Sequence, residues 1–191
     1  MNFPGNCFYN HEEKRLWIDI PKNASKSVSH HLRYNLKWKN GNYIHDQIFD
    51  YESIIVVRDP IDRWKGSTIE VCFHHLFHNK YDFTNFEIWL QRRNWKNFDR
   101  IGDLHHQPLS YFCSNKLTNK KYIAMNENFA KTVESVFGIK DLVTLNTTAD
   151  NEYKKQIEPY IDEILSDESF LNKLKGFYKE DIELFDSLKV T

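Results

Sequence analysis

A lysine and two serines stand in a short polar segment directly after an apolar run. Residues 16–27 read LWIDIPKNASKS, in which Lys22 opens the polar part and Ser25 and Ser27 close it. Where a strand passes through a short loop into a helix, backbone N–H groups and the positive end of the helix dipole point at one place. With an ammonium group and two hydroxyls added, the segment predicts an anion-binding site. A strand-to-helix turn with a solvated lysine is the alternative.

A second cationic group follows the next apolar run. Residues 53–57, SIIVV, are typical of a strand buried on both faces of a parallel sheet, and Arg58 comes directly after them. The carboxyl ends of parallel strands meet at one edge, where ligands of open α/β folds bind. A guanidinium group suits bidentate phosphate binding. Arg58 beside Lys22 therefore predicts a ligand with two separated negative groups, such as a nucleotide phosphorylated at two positions. An ion pair of Arg58 with Asp59 or Asp62 is the alternative.

The elements that must position these residues alternate between strands and helices. Strand patterns occupy residues 15–20, 53–57, 121–125 and 142–145, and helical patterns occupy residues 27–38, 60–78, 83–95 and 128–137. The last forty residues are predicted to be helical, with Ser166 as the N-cap of a segment through Leu174, and Asn40-Gly41-Asn42 predicts a turn. The alternation indicates an α/β domain with a central, mainly parallel sheet flanked by helices. Residues 1–191 are predicted to form this single domain.

Composition narrows the classes of function. Lysine and arginine number 26 and aspartate and glutamate 27, which gives a formal net charge of −1. The chain therefore has no overall positive charge that would attract nucleic acid. Three widely spaced cysteines predict free thiols in a reducing compartment. Neither a signal-peptide pattern nor an apolar run of about 18 residues occurs, so we expect a soluble, cytoplasmic chain with no membrane span.

The Lys22 loop differs from the phosphate-binding loop of nucleotide kinases. That motif carries glycines and ends in Gly-Lys-Ser/Thr, whose hydroxyl binds magnesium. Here the lysine comes first, and Ala24 stands where a glycine is expected. This order favours one terminal phosphate-like group over a triphosphate–magnesium unit. A P-loop nucleotide kinase stays an alternative, as does a non-catalytic module that binds a nucleotide or another anion on the same fold.

Five segments, in chain order, resemble those of sulfotransferases that use 3′-phosphoadenosine 5′-phosphosulfate (PAPS), particularly the carbohydrate and glycosaminoglycan branch. IPKNASKS resembles the loop that binds the 5′-phosphosulfate, and IIVVRDPIDRW resembles the strand and helix that bind the 3′-phosphate. The other three segments are His105-His106-Gln107-Pro108, which resembles a His-x-x-Pro segment near the acceptor, Met125-Asn126-Glu127-Asn128-Phe129, which resembles a Glu-Asn-Leu element, and residues 177–185, FYKEDIELF, which resemble a closing Tyr-x-x-Asp-x-x-Leu-Phe helix.

The resemblance implies a P-loop-NTPase-like sulfotransferase fold and transfer of a sulfuryl group from PAPS to an acceptor hydroxyl, with a glycan as the candidate acceptor. Lys22 would hold the phosphosulfate and stabilise charge on the leaving phosphate, and Arg58 would bind the 3′-phosphate. The loop that would cradle the phosphosulfate comprises Asn23, Ala24, Ser25, Lys26 and Ser27. No metal is required, because lysine and backbone N–H groups can carry the charge.

Two positions depart from the pattern of that family. Lys26 stands where threonine is usual, which adds a charge and removes a hydroxyl. Eight residues after Arg58 a phosphate-binding serine is usual, but this chain has Gly66, with Ser67 one position later. Either Ser67 substitutes through a small shift of the helix, or the contact is lost.

Histidine is the natural base for the acceptor proton, because its unperturbed pKa of about 6.5 lies near working pH. His45, in Tyr43-Ile44-His45-Asp46, is the first choice, since the resembling family often has an acceptor-activating histidine in this interval. A surface or structural histidine is the alternative for His45. His105 is the second candidate, as base or as an acceptor-binding residue, and a carboxylate could also serve.

Two further patterns carry weaker predictions. His74 and His78 have the i,i+4 spacing of zinc ligands, but no third ligand is evident, which favours an exposed helix face or a wall of the acceptor cleft. Residues 89–100 mix aromatic and basic side chains. They predict a segment that stacks on sugars or binds a sulfated chain, with an ordinary amphipathic helix as the alternative.

Overall fold

The computed structural model describes residues 4–79, 104–142 and 151–189, with the side chains of residues 75–79 left out. These residues form a sheet of five strands, which are β1 (Asn6–Asn10), β2 (Arg15–Ile18), β3 (Lys39–Asn42), β4 (Glu52–Val57) and β5 (Asn119–Ala124). They also form seven α-helices, which are α1 (Ser25–Tyr34), α2 (Pro60–Asn79), α3 (Leu109–Phe112), α4 (Phe129–Phe137), α5 (Glu152–Ser166), α6 (Glu168–Phe177) and α7 (Lys179–Lys189). A short 3-10 turn spans Leu104–His106.

The strand order in the sheet is β3-β1-β2-β4-β5. Strand β4 pairs in parallel with both β2 and β5, whereas β1 pairs antiparallel with both β2 and β3. The α/β class is therefore confirmed, but the sheet is mixed rather than mainly parallel. The difference comes from β1 and β3, for which the sequence predicted no strand.

Strand β3 occupies residues that were predicted to form a turn. Its sequence, KNGN, carries no apolar side chain, and the strand lies at the edge of the sheet. Backbone hydrogen bonds to β1 hold it there, with Asn42 opposite Asn6 and Lys39 opposite Tyr9. A polar edge strand needs no buried face, so its residues lack the alternation by which strands are recognised.

The central strands place alternate side chains in two cores. Leu16, Ile18, Ile55 and Val57 belong to the core on one face, which Phe112 of α3 and Phe185 of α7 complete. Trp17, Ile54 and Val56 belong to the core on the other face, which α1 and α4 cover with residues Val28, Leu32, Val133 and Phe137. This two-residue period buries the strands on both faces, as predicted for residues 53–57.

Several helix ends differ from the prediction by a few residues. Helix α1 begins at Ser25 rather than Ser27, and the predicted Asn128–Phe137 helix is confirmed, closed by Gly138 in the left-handed conformation. Ser166 is the last residue of α5 rather than the cap of the next helix. That cap is Asp167, whose carboxylate accepts hydrogen bonds from the N–H groups of Ser169 and Phe170.

Two predicted elements, the helix at residues 83–95 and most of the strand at residues 142–145, lie outside the described residues. Among the helices that are described, none is long and apolar enough to cross a membrane.

Candidate active site

The loop after β2 bends sharply at two non-glycine residues. Lys22 has a φ of 67° and Ala24 a φ of 56°, both in the left-handed region that side chains with a Cβ rarely adopt. Between them, the buried Asn23 donates its side-chain Nδ2 to the carbonyl oxygen of Val56 at 2.7 Å, which ties the loop to β4. Backbone strain of this kind clusters at functional sites, so the loop is a candidate binding site.

The loop leads directly into the N-terminus of α1. The left-handed Ala24 precedes the helix, and no side chain caps it. A hydrogen bond runs from the N–H of Val28 to the carbonyl oxygen of Ala24 at 3.0 Å, and the N–H groups of Ser25 and Lys26 come too early in the helix to have an acceptor four residues back within it. These groups and the helix dipole favour a negative charge at the loop. The residues predicted to cradle an anion thus lie together.

Arg58 reaches the same loop from the end of β4. Its Nη1 lies 3.5 Å from the carbonyl oxygen of Lys22, and a Cβ added to Gly66 would lie 3.7 Å from that nitrogen. The alternative ion pairs do not form. The carboxylate of Asp59 instead accepts hydrogen bonds from the N–H groups of Ile61 and Asp62 at the start of α2. Within the described ranges, no carboxylate forms an ion pair with Arg58.

The side chain of Lys22 takes part in a charge cluster that the sequence did not predict. Its Nζ lies 3.1 Å from Oε2 of Glu70 on α2, and the same oxygen accepts a hydrogen bond from Nζ of Lys154 on α5. The second oxygen of Glu70 contacts Nε2 of His74 at 3.2 Å. Glu70 and Lys154 lie 84 residues apart, so no short motif could have indicated their contact.

The electrostatics of the cluster follow from burial and from the neighbouring charges. Burial lowers the pKa of Lys22, and the charges of Lys154 and Lys26 lower it further, while Glu70 alone among the groups at this cluster acts to raise it. Burial on its own would raise the pKa of Glu70, but the two lysines outweigh it and bring that pKa to about 2. Glu70 is therefore a carboxylate at any physiological pH.

Ser67 and His105 contact each other. The fully buried hydroxyl of Ser67 donates a hydrogen bond to the carbonyl oxygen of His105 at 2.9 Å, whereas the neighbouring Gly66 faces Arg58. A contact of Ser67 with a 3′-phosphate stays a prediction, and it would require the hydroxyl to leave His105. The imidazole of His105 is partly exposed, on the 3-10 turn that packs against α2.

His45 lies farther from the loop, but at the same end of the strands in the sheet. Because β1 is antiparallel to both of its neighbours, β3 runs in the same direction as β2, and Asn42 and Ile18 end their strands on the same side. The exposed His45 follows β3, and its backbone N–H donates a hydrogen bond to Oδ1 of Asn42 at 3.3 Å. Two strand spacings, about 10 Å, separate β3 from β2. Its role as base stays a prediction.

The family comparison bears on residues 66–186, which match the family model described as the sulfotransferase family. The chain belongs to the sulfotransferase family. The match covers well over half of this sulfotransferase and confirms the resemblance at the level of the family. It contains the last three of the five predicted segments and begins after Lys22 and Arg58. No curated protein and no solved structure matches the chain.

Two of the three matched segments of the sulfotransferase, residues 105–108 and 177–185, belong to one buried arrangement that includes Arg63. Its Nη2 donates to the carbonyl oxygen of Gln107 at 2.8 Å and lies 3.4 Å from Oδ2 of Asp181. The same carboxylate accepts the N–H of Leu109 at 3.0 Å, and the hydroxyl of Tyr178 donates to the carbonyl oxygen of His106. Burial raises the pKa of Tyr178 to about 12, which keeps that hydroxyl a donor. The C-terminal segment thus fixes the His-x-x-Pro turn against α2.

The remaining sequence predictions concern the acceptor side of the sulfotransferase. His74 pairs with Glu70, while the side chain of His78 and the basic aromatic stretch at residues 89–100 lie outside the described residues. Within the part of the chain that the structure describes, no group of three histidine, cysteine, aspartate or glutamate side chains is arranged to hold a metal ion.

Proposed function

We propose that this member of the sulfotransferase family transfers a sulfuryl group from PAPS to an acceptor hydroxyl, on a P-loop-like α/β fold. The observation that carries the proposal is the contact between the guanidinium of Arg58 and the carbonyl of Lys22 at the uncapped start of α1. Two cationic groups and a helix N-terminus at one edge of the sheet suit a nucleotide with separated anionic groups.

The residues present fit the two ends of this donor. The 5′-phosphosulfate would bind at the start of α1, held by the backbone of residues 23–27, the hydroxyls of Ser25 and Ser27 and the ammonium of Lys22. Lys26, which is exposed, adds a positive charge to the same loop. Arg58 binds the 3′-phosphate through its forked guanidinium, a geometry that lysine does not offer.

The chemistry asks three things of the protein. The acceptor oxygen attacks sulfur in line with the bond to the 5′-phosphate, so the protein must hold the acceptor and the donor in that alignment. As that bond breaks, negative charge grows on the leaving phosphate of adenosine 3′,5′-bisphosphate, and the ammonium of Lys22 stabilises it. A histidine takes the acceptor proton, with His45 as the first candidate and His105 as the second. A glycan hydroxyl is the acceptor that we propose.

A transfer assay tests this function. The protein is incubated with PAPS labelled at sulfur and with a set of desulfated polysaccharides, and both labelled polysaccharide and adenosine 3′,5′-bisphosphate are quantified. We expect equal amounts of the two products with at least one acceptor. Label transfer to none of them, together with phosphoryl transfer from Mg-ATP, would contradict the proposal.

A further inference from the structure

One carboxylate oxygen lies between two ammonium groups beside the loop that connects β2 to α1. Oε2 of Glu70 accepts a hydrogen bond from Lys22 on the loop and another from Lys154 on α5. The Glu70 side chain is only 12% exposed, so water screens these charges poorly. Of the two lysines, Lys154 is the more buried, and its Nζ also lies 5.3 Å from the centre of the Phe73 ring.

We propose that Glu70 is a positioning residue for Lys22, and that Lys154 is the fixed counterion that allows Lys22 to leave. Without donor, Glu70 holds the ammonium of Lys22 in its protonated form beside the loop. When donor binds, that ammonium moves from Glu70 to the phosphosulfate, and Lys154 continues to neutralise Glu70. The proposal rests on the donor site proposed above and gives that site a second layer of residues on α2 and α5.

Glu70 is needed because burial and two neighbouring lysines disfavour the charged form of Lys22. Burial, Lys154 of α5 and Lys26 of α1 all lower the pKa of Lys22, and Glu70 of α2 opposes them. The other oxygen of Glu70 faces His74 on its own helix. A neutral amine would stabilise the leaving phosphate poorly, so the loss of this carboxylate would restrict activity to lower pH.

Lys154 is needed for the opposite reason. If Lys22 were the sole partner of Glu70, its departure would leave a carboxylate buried without a counterion next to an anionic donor. The position of Lys154 is fixed by the first turn of α5, where its N–H donates to the cap residue Asn151 at 3.1 Å. Lys22 lies instead on a loop, with a side chain 23% exposed. Lys22 is therefore the partner that can move.

Two substitutions should shift the protonation of Lys22 in opposite directions. The extent of acetylation of Lys22 by acetic anhydride is measured against pH by mass spectrometry in the donor-free protein, with Lys14 as an internal control. In Glu70→Gln the midpoint for Lys22 should fall by about one pH unit or more, because the nearby cations remain. In Lys154→Met it should rise, because a repelling charge is gone. The midpoint for Lys14 should not change.

Binding of adenosine 3′,5′-bisphosphate supplies a second readout. At neutral pH, Glu70→Gln should bind it at least as tightly as the unmodified protein, because no carboxylate competes for Lys22. Its affinity should then fall at a lower pH than that of the unmodified protein. Lys154→Met should bind several-fold more weakly at neutral pH, since Lys22 stays with Glu70. A purely structural defect would weaken binding at every pH. Because Glu70→Asp keeps a carboxylate, its acetylation midpoint for Lys22 should lie close to that of the unmodified protein.

Equal midpoints for Lys22 in the two variants, or shifts in the same direction, would overturn the proposal. If Glu70→Gln shows no cooperative melting transition, the midpoint in Lys154→Met decides: a rise supports the proposal and no rise overturns it. Failure of the unmodified protein to bind the bisphosphate would instead contradict the proposed donor. The acetylation midpoints would still decide whether Glu70 controls the protonation of Lys22.

Discussion

The guanidinium Nη1 of Arg58 lies 3.5 Å from the carbonyl oxygen of Lys22. This contact joins the ends of two parallel strands, β2 and β4, and places a forked cation against a loop whose own cation points to Glu70 on α2. In the proposed donor site, Arg58 and Lys22 are therefore assigned to different parts of the ligand. Nη1 of Arg58 also faces Gly66 on α2, whereas Lys22 precedes the start of α1.

Replacing Lys22 with alanine should lower the rate of transfer by about a hundredfold or more, because the ammonium proposed to stabilise the leaving group is lost. Lys14→Ala is a matched control. Lys14 is also a lysine at positive φ, 50° against 67°, but it lies in the turn between β1 and β2 at the opposite edge of the sheet. Rates are measured with labelled PAPS. Similar rates for the two variants would remove Lys22 from the proposed role.

Arg58→Ala should abolish the preference for a 3′-phosphate. Loss of charge-assisted hydrogen bonds of this kind is worth about 2 kcal/mol, or about thirtyfold in Kd. Titration calorimetry with adenosine 3′,5′-bisphosphate and with adenosine 5′-monophosphate measures the preference directly. The exposed Arg33 on α1 provides the control substitution, which should leave both affinities unchanged. If Arg58→Ala lowers the affinity for both nucleotides equally, the guanidinium does not bind the 3′-phosphate.

His45→Ala should lower kcat by about a hundredfold or more while the affinity for adenosine 3′,5′-bisphosphate stays the same, as expected of a general base. His11→Ala, which removes an exposed imidazole from the turn between β1 and β2, is the control. Unchanged turnover in His45→Ala, with a fall of similar size in kcat for His105→Ala, would assign the base to His105.

Asp181→Ala should destabilise the protein by about 3 kcal/mol or more, because it leaves the guanidinium of Arg63 buried without its carboxylate and removes the acceptor for the N–H of Leu109. Asp186→Ala on the same helix removes an exposed ion pair with Lys189 and should cost much less stability than Asp181→Ala. Urea unfolding monitored by circular dichroism measures both. Equal losses would show that Asp181 does not hold the His-x-x-Pro turn.

The site followed from the sequence where it depends on local patterns. Apolar runs ending in Lys22 and Arg58 predicted strand ends at one edge of a sheet, and parallel pairing of β2 with β4 places them there. A residue that directly follows a strand must lie at its carboxyl end. Because ligands of open α/β folds bind at the carboxyl ends of strands, the location of the site could be predicted.

Two other features depend on contacts that no local pattern encodes. Strand β3 forms through backbone hydrogen bonds to β1, so its polar residues, KNGN, resemble a turn. Glu70 and Lys154 meet because α2 and α5 pack through an apolar cluster that includes Trp64, Ile157 and Ile161. Such helix packing depends on the shapes of side chains distant in sequence, which periodicity within one helix does not reveal.

The central claim is that the loop at Lys22 and the guanidinium of Arg58 form a donor site for PAPS. Calorimetric titration of the protein with adenosine 3′,5′-bisphosphate, and in parallel with ATP in the presence and absence of magnesium, tests it most directly. We predict tight binding of the bisphosphate that does not require metal and that both Lys22→Ala and Arg58→Ala weaken. Preferential binding of Mg-ATP, or no binding of the bisphosphate, would contradict the claim.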